Sequence, residues 1–242
     1  MRTAPTMLFD GESGRLRLPL ELFGAFYDWA EGGRADGAGL EAFADAGVLS
    51  GGQPHPAVEP VVAAIADPVC VLSVRGAAAD GSGVHGACWL GAESAALLLD
   101  APDDSAELTG VAPVAVPAAV ARVVGLAPRP VSDAAAVPVP TAEVEALFQD
   151  GPPAAGYPAD GPPGAGYPAL EAVGVSAADG ARWWEVATRW PDAAGIPCTG
   201  TLRVLDSTAG LWAVAGGDAE RTTWEPVSAS AVWRLLLRCF PR

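Results

Sequence analysis

An internal echo constrains this chain more than any single motif in it. Laid over itself with a shift of about 113 residues, the sequence falls into step as two halves. Gly86-Ala87-Cys88-Trp89-Leu90 lies over Gly200-Thr201-Leu202-Arg203-Val204, Leu97-Leu98 over Leu211-Trp212, and Pro113-Val114 over Pro226-Val227. Ala119-Val120-Ala121-Arg122 matches Ala231-Val232-Trp233-Arg234 once a single gap is allowed, and Pro128-Arg129 matches Pro241-Arg242. Upstream, the stretch from Val58 runs over the stretch from Leu170. A period this long is wrong for a solenoid and right for two quasi-equivalent halves, 1–129 and 130–242, packed as one compact unit.

Local patterns give each half the same elements. Residues 14–18 alternate as a short strand, and Pro19 opens a helix in which Leu20, Phe23, Phe26, Tyr27 and Ala30 share one face before Gly32-Gly33 stops it. Two further short helices are predicted over about 39–46 and 57–66. Strands follow at 69–74, 84–90, 94–100 and 106–114, and Pro117 starts another helix. Residues 127–140 read as a Pro/Ala linker, with Thr141 as N-cap of the helix after it. Four alternating runs (183–190, 199–206, 210–215 and 221–227) then lead to a last helix capped by Ser228 or Ser230. The fold class is α+β, each half an antiparallel sheet of three to four strands with flanking helices.

Between these elements, Asp150–Ala159 and Asp160–Ala169 are a tandem decapeptide, DGPPAAGYPA and DGPPGAGYPA. Gly and Pro at this density predict an exposed loop over 150–169. Slippage in a tolerant loop accounts for the repeat; a partner-binding Pro-Tyr motif is the alternative.

Composition excludes several chemistries. Every basic residue is Arg, so a Walker A loop, a kinase lysine, a Schiff base and a Ser-Lys dyad all lack their amine. The absence of Lys and Asn also has the look of a GC-rich, actinobacterial genome. A formal charge of −15 repels phosphate backbones and argues against nucleic-acid partners. No apolar window of about 18 residues and no signal-peptide core is present, so membrane insertion is not expected and the expected compartment is the cytoplasm. The four Cys are scattered without a CxxC, which predicts reduced thiols and no zinc.

The remaining motifs are weak. Gly81 to Gly86 spells GxGxxG, but an alternating strand follows it where a dinucleotide site needs a helix. A hairpin turn is the better reading. His55 and His85 are the only histidines, and a triad with Ser94 or Ser207 is an alternative that would make the chain a metal-independent hydrolase. Gly91 to Ala96, however, lacks the last glycine of a nucleophile elbow. No catalytic, cofactor or metal residue is assigned. Trp183, Trp184, Trp190 and Trp212 are the candidate partner-binding residues, because Trp buries much area with little entropy loss. Strand alternation puts Trp183 and Trp184 on opposite faces, which opens one of them to solvent.

The order of elements over 40–74 resembles a stretch of the EspG-like, ESX-secretion-associated proteins of actinobacteria. The resemblance rests on Leu40, Ala46-Gly47-Val48-Leu49, Pro56, Val58, Ala66-Asp67-Pro68 and the strand at 69–74. The ending is similar too, in GLWAVA, Trp224-Glu225-Pro226-Val227 and a Leu-rich last helix. It implies two α+β halves sharing a twisted antiparallel sheet, no enzymatic activity and no cofactor. Its function would be that of a cytosolic chaperone capping the apolar tip of a helical PE/PPE-like type VII secretion substrate. A scaffolding or regulatory protein that kept the fold is the alternative, and a homodimer is compatible with both. The decapeptide insertion departs from the family's pattern.

Overall fold

The computed structural model describes residues 6–33, 37–78, 83–101, 104–149, 168–175 and 181–241. The tandem decapeptide therefore lies outside the described residues except for its last two positions. The architecture is α+β with antiparallel ladders, and the chain divides into two compact units. One comprises Met1–Ser73, His85–Ala119 and Arg189–Cys198; the other comprises Val74–Val84, Val120–Thr188 and Thr199–Arg242. Each is thus assembled from separated stretches of chain rather than from one contiguous half.

In the first unit, β1 (Leu8–Asp10) and β2 (Arg15–Pro19) lead into α1 (Leu20–Gly32). Gly33 ends α1 in the left-handed conformation (φ 66°), donating its N–H to the Trp29 carbonyl, as the Gly-Gly stop predicts. Next come α2 (Gly37–Asp45), a two-residue hairpin of β3 (Leu49–Ser50) and β4 (Gln53–Pro54), and α3 (Glu59–Ala66). A meander completes the unit: β5 (Cys70–Ala78), which runs on into the second unit, then β6 (Gly83–Leu90), β7 (Ala95–Ala101) and β8 (Ser105–Val111). The strand order is β1-β2-β8-β7-β6-β5.

Period-2 alternation builds its core. Leu16 and Leu18 of β2, Trp89 of β6, Ala96 and Leu98 of β7, and Ala106 and Leu108 of β8 point to one face. The register sets Leu16 against Leu108, Leu108 against Leu98, and Trp89 against Ala96. Onto this face α1, α2 and α3 lay Phe26, Ala30, Phe43, Val61, Ala64 and Ile65.

After β8, a short 3-10 turn at Pro113–Ala115 leads into α4 (Val116–Val123). The second unit then uses β9 (Val137–Pro140), α5 (Thr141–Gln149), the short α6 (Pro168–Glu171), β10 (Arg182–Pro191), β11 (Pro197–Ser207), β12 (Gly210–Gly217), β13 (Arg221–Val227) and α7 (Ala229–Arg238). Its strand order is β5-β10-β11-β12-β13-β9. Trp183, Leu205, Trp212 and Trp224 face Val144, Leu147 and Phe148 of α5 in one apolar cluster. The Ser228 hydroxyl accepts the N–H of Ala231 at 3.2 Å, so Ser228 is the cap of α7.

Three readings of the sequence are corrected. Residues 137–140 are not linker but an edge strand on β13, Val139 opposite Thr222; a strand of alternating Pro is tolerated at an edge, where the missing N–H groups are not needed. Thr141 is not an N-cap: its hydroxyl donates to the Asp218 carbonyl at 3.0 Å and meets the Thr222 hydroxyl at 2.9 Å, tying α5 to the β12–β13 hairpin. The strands β1, β3 and β4 are too short to carry a periodicity and went unread.

Candidate functional site

The candidate tryptophans fall into two environments. Trp183, Trp184 and Trp212 are buried, and Trp190 is half-buried. Burial of both Trp183 and Trp184 corrects the expectation that one would meet solvent, and the reason is that both faces of β10 are covered there. On one face Trp183 joins Leu205 and Trp212 beneath α5. On the other, Thr188 donates its hydroxyl to the Cys239 carbonyl just past α7, at 2.6 Å. Alternation separates the two rings, but a strand packed on both sides hides each of them. Trp212 and Trp224 are also unusual in that their indole Nε1–H groups are buried without a hydrogen-bond partner.

Two exposed apolar side chains sit at the start of β5 in the first unit. Val69 and Val71 are 43% and 37% exposed and, two residues apart, share one face. Elsewhere in the unit Leu8 on β1 and Ile196 in the β10–β11 turn are 61% and 60% exposed, and Val114 is more open still, at 90%.

The second unit is held by charge as well as by packing. Glu185 of β10, 5% exposed, accepts from Arg75 Nε at 2.9 Å and from Arg203 Nε at 2.6 Å. Arg203 also reaches Glu145 on α5, through NH2 at 3.0 Å, and lies over the Phe148 ring at 5.3 Å. Burial pulls its pKa down, but the bonds to Glu145 and Glu185 outweigh that and hold it above the ordinary value. Among the described residues two arginines balance two carboxylates here, and the geometry docks α5 on the sheet.

A second cluster surrounds Asp206 of β11, 2% exposed. Arg129 grips it in a two-point fork, Nε to Oδ1 at 2.7 Å and NH2 to Oδ2 at 3.2 Å, and Arg182 donates to the same Oδ2.

The other sequence candidates have local roles. His55 accepts the Ala57 N–H on Nδ1 at 3.2 Å and packs edge-on against Phe9, whereas His85 is exposed on β6. The Ser207 hydroxyl donates to the Gly210 carbonyl at 3.2 Å across the β11–β12 turn. Of the GxGxxG stretch, residues 83–86 lie in β6, and Gly86 is there for packing: a Cβ would stand 2.7 Å from the Leu98 carbonyl oxygen. Cys70, Cys88 and Cys239 are buried and Cys198 is half-buried; burial raises the first three thiols, Cys88 to about 12. Among the described residues, no group of three or more His, Cys, Asp or Glu is placed to hold a metal ion. No helix among them is long and apolar enough to cross a membrane.

What decides between these features is family. The model of the EspG family matches residues 6–236, which takes in both units and all four candidate tryptophans. The chain belongs to the EspG family. EspG proteins are ESX secretion-associated chaperones, so the site to be sought is a surface that receives a secretion substrate. No curated protein matches the chain closely enough to lend it a more specific role. Sequence reasoning missed the two Arg–carboxylate clusters, because Arg75, Glu145, Glu185 and Arg203 are brought together only by pairing β10 with its neighbours and by the landing of α5. The one available hint that a charge sits on an inward face was Leu205, which lies two residues on from Arg203 and so shares its face.

Proposed function

We infer that this EspG protein is a cytosolic, actinobacterial chaperone whose client is a helical type VII secretion substrate, of the PE/PPE kind or a comparable helical pair. The observation that carries the reading is the family match over residues 6–236. Two features support it. The first unit leaves Val69 and Val71 open on a strand face, where an apolar helix tip can be covered. The net charge of −15 then keeps the loaded complex soluble. Of the candidate tryptophans, Trp190 keeps ring surface for direct contact with a client, while Trp183, Trp184 and Trp212 hold the second unit's strands from within. The test is an affinity pull-down of the tagged chain from its host lysate, repeated with Val71→Asp. Recovery of a helical ESX substrate in near-equal amount, lost in the variant, is the expected result; recovery of no ESX substrate would overturn the assignment.

The two units further support descent from one duplicated element, with 1–129 and 130–242 as its copies. In both, a strand ending in Pro feeds directly into a helix, at Pro19–Leu20 and Pro140–Thr141. That strand pairs with the last strand of a four-strand meander, and a helix follows the meander. Pair positions correspond: Ala95 faces Val111 as Leu211 faces Val227, and Leu98 faces Leu108 as Val214 faces Trp224. The copies differ at their central hairpins, closed by Leu90↔Ala95 in one and by Ser207↔Gly210 in the other. The shorter turn shifts the register, so no single sequence offset maps every pair onto its counterpart.

A further inference from the structure

The Asp206 cluster has a property that the Glu185 cluster lacks. It holds two guanidinium groups for one carboxylate, and among the described residues Asp206 is the only acid lining the adjoining pocket of about 400 Å³. The walls are Pro128, Arg129, Pro130 and Arg182, and Ser207 and Thr208 of the β11–β12 turn close the rim. We propose that this pocket is a binding site for a small oxyanion, a phosphate or carboxylate group held by Arg129 and Arg182.

Asp206 needs one arginine to offset its burial, and the fork from Arg129 already satisfies both its oxygens. Arg182 is therefore surplus to the neutralisation of that carboxylate. Its NH2 bonds Asp206 and, at 3.4 Å, the Gly125 carbonyl, which leaves its Nε–H and NH1 donors without an acceptor among the described residues. Both arginines keep solvent access, with 29% and 38% of their side chains exposed, so a ligand can reach them. Asp206, itself 98% hidden, orients the pair while adding less charge than they carry. The excess is one positive charge, inside a chain whose formal charge is −15. The Nε–H and NH1 donors of a guanidinium point in different directions, so Arg182 offers the oxygens of a carboxylate or phosphate separate charge-assisted hydrogen bonds rather than a fork. The volume is at the small end of ligand pockets, enough for such a group and a short attachment. The prolines on either side of Arg129 restrict the backbone that carries it, so the site is preformed. This inference rests on the pocket's own geometry and is independent of the client-binding reading.

The test follows the arginine Nε–H resonances of the ¹⁵N-labelled full chain while sodium phosphate, then sodium acetate, is titrated at constant ionic strength. The Arg129 and Arg182 signals are expected to shift saturably. Arg182→Gln should weaken the interaction by about ten-fold or more, the worth of a charge-assisted hydrogen bond. Thr208→Glu places a carboxylate at the rim without touching the Asp206 pairs and is expected to abolish the response while leaving the fold's other resonances in place. Saturation by phosphate alone would identify a phosphate site, and saturation by acetate a carboxylate site. Absence of any saturable shift with either anion, or an undiminished shift in Thr208→Glu, would overturn the proposal.

Discussion

The two units run their strands through comparable ladders but stabilise them by different means. The first packs aromatic rings against one another under its helices: Phe26 edge-on to Phe43 at 5.7 Å between centroids, with Phe23 and Tyr27 tilted on Trp89 at 5.8 Å and 5.7 Å. Its described polar residues stay mostly at the surface, Ser105 being the buried exception among them. The second buries Glu185, Thr188, Asp206, Ser207 and Thr222, and meets these groups with arginines, carbonyls and the Thr141 hydroxyl. The contrast shows that one pattern of strands can be fixed either by shape or by charge. Shape tolerates small volume changes poorly. Charge pairs tolerate loss of a partner poorly, because the remaining ion stays desolvated.

The largest effect should come from the first unit's shape. Phe26→Ala removes a fully buried ring on which Phe43 and Trp29 lean, and is expected to lower stability by about 4 kcal/mol in urea unfolding. Asp206→Ala should come next, at about 3 kcal/mol, the lower end for a broken buried pair because both arginines retain solvent. If Asp206→Ala proved neutral, the second unit would not depend on charge and the contrast would fail.

A paired substitution sharpens the comparison further. The Trp89 ring packs against that of Tyr27 at 5.7 Å, whereas Trp224 buries its indole N–H without a hydrogen-bond partner. Trp224→Phe therefore removes an unsatisfied donor along with volume, and should be milder than Trp89→Phe by about 1 kcal/mol. Equal losses in matched denaturation curves would argue that the indole N–H is satisfied in solution. Ser228→Ala is the smallest of the stability changes, about 1 kcal/mol, because it removes a single cap bond.

The thiols provide a pH test. The thiol of Cys88 is held protonated to about 12 by burial, against 9.0 when unburied. The folded state therefore binds the proton more tightly than the unfolded one, so its contribution is complete below pH 9.0 and is lost as pH rises toward about 12. Cys88→Ala should flatten that alkaline decline, as read from unfolding midpoints across the window. At neutral pH, alkylation should modify Cys198 quickly and the three buried thiols only as fast as the protein opens.

Much of this architecture is legible in the sequence, for physical reasons that differ by element. Helix α1 announces itself through Pro19, its apolar stripe and Gly33, all local signals. The strands of both meanders alternate, and alternation is local too. Strand β9 was hidden because Pro-Val-Pro looks like linker until β13 provides an edge for it. The fate of Trp183 and Trp184 was also illegible: alternation says which faces they take, but only the placement of α5 and α7 says that both faces are covered. The ion clusters depend on residues up to 110 positions apart in the chain, as Arg75 and Glu185 are, and no local pattern encodes that meeting. The family, by contrast, was legible from the residues and element order over 40–74 and from the chain's ending, all within the stretch that its model then matched.

The most direct test of the central claim is to mix the purified chain with a purified helical ESX substrate pair and measure mass by light scattering behind size exclusion. The account expects a single complex containing both, displaced to separate species by Val71→Asp while the variant's own unfolding midpoint is unchanged. Separate elution of the wild-type chain from every ESX substrate of its host would contradict it.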